Sequence, residues 1–199
     1  MIAIIDYGMG NLRSVQKAFE YIGIEAIITS DKDEIKLADK LVLPGVGAFK
    51  DAMIALRNYG LINVIKEEIN KGRPFMGICL GMQLLMDRSY EDGDYEGLHI
   101  IPGEVVKIEA TGLKIPHIGW NELIPSEDST YLNDLPDKMV YFVHSYYCKV
   151  EKKYIDALCN YGTDFTAAIR YKNVFATQFH PEKSGDTGIM ILKRFGGIL

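Results

Sequence analysis

The first hundred residues alternate short apolar runs with helical periodicity, and that alternation leaves few folds open. Residues 2–5, 24–28, 40–43 and 74–78 read as strands. Residues 12–21, 48–57 and 61–71 read as helices, the first with Leu12, Val15, Phe19 and Ile22 recurring at helical spacing. Strand and helix in repeated alternation predict an α/β fold: a mostly parallel central sheet, helices on both faces, and right-handed connections. From about Gly103 the pattern changes. Residues 105–108, 139–150, 155–159, 166–171 and 174–179 are β-branched and aromatic runs separated by turn residues, which predict antiparallel β additions to the sheet. Residues 184–195 read as a closing helix, stopped by Gly196 and Gly197.

Composition narrows the function classes. The 199 residues carry 27 acidic and 22 basic side chains, a net charge of −5, which argues against non-specific binding to nucleic acid or anionic membrane. With 48% hydrophobic and 25% charged residues the chain has the balance of a folded soluble protein, and disorder, collagen and coiled coil are excluded. No run approaches the roughly 18 apolar residues a spanning helix needs. The richest, 139–150, contains His144, Ser145 and Lys149. The start, with Asp6 so early and no basic leader, does not read as a signal peptide, and three cysteines do not make a disulfide framework. These features predict one domain spanning 1–199 and a cytoplasmic location. The acidic run 91–96 reads as a solvated loop.

The sharpest chemical signal is Gly77-Ile78-Cys79-Leu80-Gly81. A strand-like run leads into Cys79 and a helix-like run leaves it, with glycines two residues before and after to relieve crowding. This is the thiol form of a nucleophile elbow. The turn projects the side chain beyond the carboxyl end of the sheet, the following helix N-terminus favours a thiolate, and the Leu80 N–H is placed to hold an oxyanion. The bland alternative is a buried cysteine acting as a small hydrophobe. Of the four histidines, only His180 ends a strand-like run and has an acid beside it, in His180-Pro181-Glu182. Pro181 stiffens the corner, so Glu182 can hold the imidazole in the right tautomer. Alone, that corner is equally an ordinary surface turn. Leu43-Pro44-Gly45-Val46-Gly47 follows a strand and could complete an oxyanion hole, or be a ligand-free turn; it lacks the Gly-Lys-Ser/Thr ending of a phosphate loop.

These three segments, in this order, resemble the class I (triad) glutamine amidotransferases. Residues 6–15 (DYGMGNLRSV), 44–49 (PGVGAF), 116–121 (PHIGWN), 144–147 (HSYY) and 176–184 (ATQFHPEKS) narrow the resemblance to the glutaminase subunits of imidazole glycerol phosphate synthases, over essentially the whole chain. The resemblance implies Cys79 as nucleophile, His180 as acid and base, and Glu182 as its orienting partner. It implies an oxyanion hole from Gly45, Val46 and Leu80, with the Gly45–Val46 peptide turning over before it donates. It implies substrate contacts from Gly47, Gln83, His144, Ser145 and Tyr146, those of His144 to Tyr146 through backbone. No metal and no organic cofactor are expected.

The reaction so implied converts glutamine to glutamate and ammonia through a thioester. The expected partner is a (βα)8-barrel cyclase subunit, which uses the ammonia to make imidazole glycerol phosphate and aminoimidazole carboxamide ribotide in histidine biosynthesis. Met9, Asn11, Trp120, Tyr141 and Lys183 are expected to face it, with core packing as the alternative for Trp120 and Tyr141. A competing reading keeps the glutaminase but sends its ammonia to an aminating enzyme of cell-surface sugar synthesis. A cysteine peptidase or chaperone-like protein is disfavoured because Leu80, and not a histidine, follows Cys79. Cys148 and Cys159 read as small hydrophobes, and His99 and His117 receive no role.

Overall fold

A computed structural model describes residues 1–198. The first half runs β1 (Ile2–Ile5), α1 (Leu12–Tyr21), β2 (Ala26–Thr29), α2 (Lys32–Leu37), β3 (Lys40–Gly45), α3 (Phe49–Asn58), α4 (Ile62–Asn70), β4 (Phe75–Cys79) and α5 (Leu80–Gln83). The second half runs β5 (Arg88–Ser89), β6 (Tyr95–Glu96), β7 (Gly103–Lys107), β8 (His117–Glu122), β9 (Ile124–Pro125), β10 (Met139–His144), β11 (Tyr146–Val150), β12 (Ile155–Asn160), β13 (Asp164–Tyr171), β14 (Val174–Thr177) and α6 (Gly185–Gly196).

Eight strands form the central sheet in the order β2-β1-β3-β4-β14-β13-β12-β9. The first five are parallel, and β13, β12 and β9 continue antiparallel. Alternate side chains of one strand enter opposite cores. Ala3, Ile5, Leu41 and Leu43 pack with α3 and α4, whereas Ile2, Ile4 and Val42 pack with α1 and α6. With both faces covered, the parallel strands are apolar except at a few end positions such as Thr29, Lys40 and Thr177, which is why their sequences do not alternate.

The strands at 117–122 and 95–96 were not read from the sequence, and two further features depart from that reading. The short helix α2 was not anticipated, although Asp31 caps it by accepting from the Asp33 and Glu34 N–H groups. The later β additions also do not all join the central sheet. Residues 139–150 break at Ser145: β10 pairs with β8 in a separate ribbon, and β11 joins β7, β5 and β6 in a four-stranded sheet. Each of these outlying sheets buries one face, covering Leu84, Leu85 and Met86 on one side of the molecule and Phe165 and Phe179 on the other.

The topology decides where chemistry can occur. After β2 the chain returns to the far side of β1, so the carboxyl ends of β1 and β3 open beside each other at a switch point, where α/β sheets bind ligands. The carboxyl ends of β4 and β14 lie next in line, with Gly45 opposite Cys79 and Thr177 opposite Ile78. Among the described residues no helix is long and apolar enough to cross a membrane, and no three metal-ligating side chains cluster.

Candidate active site

Cys79 ends β4 with φ 55° and ψ −111°, a backbone conformation that non-glycine residues rarely adopt. Strain of this kind persists only where the surroundings impose it. Here they do: a Cβ at Gly77 would lie 2.9 Å from the Gly81 carbonyl oxygen, and one at Gly81 would collide with the Leu43 carbonyl oxygen. The two glycines let α5 leave directly over β3 and β4, and the thiol is thrust outward. The helix that follows is a single turn, shorter than the sequence suggests, so its dipole at Cys79 is weak.

A cavity of about 230 Å³ opens at the thiol. Of the residues singled out from sequence, it is lined by Cys79, His180, Val46, Gly47, Leu80, Gln83, His144, Ser145 and Tyr146. Gly45 does not reach it and stays packed against Leu80 and Tyr7, whose hydroxyl donates to the Pro44 carbonyl oxygen at 3.0 Å. Glu182 is also behind the wall, its side chain 1% exposed and its Oε1 2.8 Å from His180 Nδ1. That leaves His180 Nε2, buried without a hydrogen-bond partner of regular geometry, as the ring nitrogen available to Cys79. Burial pushes the imidazole down, but the Cys79 sulphur and the Glu182 carboxylate both favour a protonated ring and raise it to about 10.

Two participants were not legible in the sequence. Glu91, in the acidic run read as a solvated loop, turns into the cavity. Its Oε2 accepts from the Phe49 N–H at 2.7 Å, at the start of α3. Burial raises its carboxyl despite that bond, and the nearby Asp92 and Asp51 add to the rise. The run itself hid Glu91, which sits in the turn between β5 and β6 of the four-stranded sheet. His117 was assigned nothing, yet its Nδ1 lies 3.1 Å from His144 Nε2 in the interior. Both imidazoles are pushed down by burial, His144 to about 3.

Met9 and Asn11 lie in the loop after β1 and at the cap of α1. Trp120 and Tyr141 are directly paired across β8 and β10, their rings 6.2 Å apart, and Lys183 Nζ sits 5.9 Å from the Tyr141 ring. Trp120 is 53% exposed, so it is not a core residue. Cys148 and Cys159 are free and buried, burial raising both thiols, Cys159 to about 12.

A family model described as glutamine amidotransferase class-I matches residues 3–196. The chain belongs to that family. Among its relatives, the imidazole glycerol phosphate synthase subunit HisH of Caldanaerobacter subterraneus subsp. tengcongensis is 54% identical, over 100% of this chain and 98% of that one. The subunit of the same name from Methanothermobacter thermautotrophicus is 50% identical, over 100% of this chain and 99% of that one. Solved structures agree on the fold. A glutamine amidotransferase superposes with a TM-score of 0.75 at 20% identity, covering 98% of this chain and 100% of that one. A PurLQS complex from Thermotoga maritima contains a chain that superposes with a TM-score of 0.75 at 19% identity, covering 99% of this chain and 97% of that one.

Proposed function

We infer that this amidotransferase is the glutaminase subunit of an imidazole glycerol phosphate synthase, acting in histidine biosynthesis. The observation that carries the reading is the meeting of Cys79, on its strained elbow, with His180 in one cavity, Glu182 holding the ring from behind, within a chain matched end to end by relatives of that name. We read residues 1–199 as one domain working in the cytoplasm.

The geometry supports the following division of roles. The Cys79 thiolate attacks the carboxamide carbon of glutamine, and negative charge builds on the carboxamide oxygen. The Leu80 N–H, next along the elbow, and the 45–46 peptide of the facing strand, once it has turned over, are the donors for that oxyanion. Each such donor contributes on the order of 3 kcal/mol. His180, with Nδ1 tied to Glu182, gives its Nε2 proton to the departing ammonia and leaves a glutamyl thioester on Cys79. It then takes a proton from water, which attacks the thioester and releases glutamate. At the other end of the substrate, Glu91 receives the α-ammonium, and the backbone of residues 144–146 holds the α-carboxylate. Gln83 spends its amide N–H bonds on Tyr146 O and Gln178 Oε1, both at 3.0 Å, which leaves its oxygen for a substrate N–H.

Ammonia released into neutral water would be protonated and lost as a nucleophile. The cavity mouth therefore works under a partner, which we take to be a cyclase subunit built as a (βα)8 barrel. Met9, Asn11, Trp120, Tyr141 and Lys183 form the docking face in this reading. Glutamate release measured alone and with the cyclase and its ribonucleotide ligand tests it. Release that rises sharply with the liganded cyclase and vanishes in Cys79→Ser supports the assignment. Cysteine-dependent release indifferent to the cyclase points to another acceptor, such as an enzyme aminating cell-surface sugars.

A further inference from the structure

The one-turn helix after Cys79 leaves the sulphur short of stabilising donors, and the structure supplies one from the opposite strand. Gln178 follows β14, two residues before His180, and is fully buried. Its Nε2 lies 3.6 Å from Cys79 Sγ. The orientation of this amide is fixed by elimination along a chain of hydrogen bonds. The Tyr146 carbonyl oxygen can only accept, so Gln83 turns its Nε2 to it. That same Nε2 can only donate, so Gln178 meets it with Oε1 at 3.0 Å and is left facing the sulphur with N–H bonds.

The far side of the chain is determined equally. Tyr146 O also receives His144 Nδ1–H at 2.9 Å, so His144 Nε2 accepts from His117 Nδ1–H, and His117 Nε2 accepts from Asn121 Nδ2 at 3.3 Å. Every member has one consistent role with both imidazoles neutral, the state their burial favours. A buried polar network satisfied in this way specifies one arrangement, because any reversal strands a donor or an acceptor.

We propose that Gln178 is a positioning residue of the glutaminase reaction, holding the Cys79 sulphur as a thiolate aimed into the cavity by donating a hydrogen bond whose direction is set, through Gln83, by the Tyr146 carbonyl oxygen. The proposal rests on Cys79 being the nucleophile of the reaction described above. It extends that reaction by naming what holds the thiolate where the helix dipole is weak. A donor to a charged sulphur is lost on truncation with an effect of about tenfold to a hundredfold.

The test compares Gln178→Glu and Gln178→Met with the wild-type chain. Glu keeps the length and the acceptor toward Gln83 but offers the sulphur no amide donor; Met keeps the volume alone. Two readouts are taken: the rate of Cys79 alkylation by iodoacetamide against pH, without glutamine, and kcat and KM for glutamine. We expect both variants to fold, the Met variant at a lower midpoint because a buried Gln83 N–H loses its acceptor, to alkylate Cys79 roughly tenfold more slowly at neutral pH with the profile displaced upward, and to lose more in kcat than in KM. An unchanged alkylation profile in the Met variant, which has no donor in either protonation state, overturns the proposal, as does a loss confined to KM. Should one variant not fold, the other carries the same readouts. Because alkylation needs no glutamine turnover, it stands apart from the reaction assignment, which fails if the wild-type chain releases no glutamate even with the liganded cyclase present.

Discussion

At the scale of single residues, the proton on His180 decides what the site can do. The ring is buried, and a buried imidazole ordinarily stays neutral; here Glu182 and the Cys79 sulphur reverse that preference. Glu182→Gln keeps the shape and removes the charge that holds Nδ1–H. Steady-state kinetics should show kcat lower by about a hundredfold or more with KM little changed, as expected when the tautomer is no longer fixed. The same pair leaves a mark on stability. A ring raised from 6.5 to about 10 stabilises the folded chain fully below about pH 6.5, and that contribution disappears as pH climbs through 10. Urea unfolding from pH 6 to 10 should therefore find the gap between wild type and Glu182→Gln widest at pH 6 and shrinking upward. At the other end of the cavity, Glu91→Gln should raise KM for glutamine roughly tenfold while sparing kcat, since the proposed ion pair to the α-ammonium would be present before and during the reaction.

At the scale of elements, the elbow is the part with least tolerance. A methyl group at Gly81 would meet the Leu43 carbonyl, a backbone atom that cannot turn aside. Gly81→Ala should cost more than about 3 kcal/mol in chemical unfolding, or fail to fold. This region was readable from sequence because its constraints are local: two glycines at fixed offsets from a cysteine, between a strand pattern and an apolar run. The α1 boundaries were readable for the same reason, the helical spacing of Leu12, Val15 and Phe19 being unbroken. The outlying sheets were not. Residues 139–150 look like one long strand because each half buries alternate side chains, and only the partners, β8 for one half and β7 for the other, reveal the break at Ser145. Glu91 and His117 were hidden likewise. An acidic residue in an acidic run and a lone histidine carry no local sign of the cavity or of the imidazole that tertiary folding places beside them.

At the scale of the whole molecule, the carboxyl ends of the parallel strands form one working edge, and the β8–β10 ribbon stands beside it with Trp120 and Tyr141 outward. A half-exposed tryptophan set edge-on to a tyrosine contributes little to the stability of the lone chain but has the makings of an interface anchor. Trp120→Ala should leave the unfolding free energy within about 0.5 kcal/mol. Calorimetric titration with the cyclase should show binding weaker by about 2 kcal/mol or more. Such a division between folding and docking is legible only once burial is known, since the sequence segment Gly119-Trp120-Asn121 fits a core strand as well as a surface one. The central claim concerns a single sulphur atom, and it is tested most directly by labelling. A glutamine analogue bearing an electrophile in place of the carboxamide is incubated with the chain and the modified peptide is found by mass spectrometry. One label at Cys79, slowed by glutamine and lost in Cys79→Ser, is the predicted result; labelling at Cys148 or Cys159, or at Cys79 at a rate that glutamine does not affect, would contradict it.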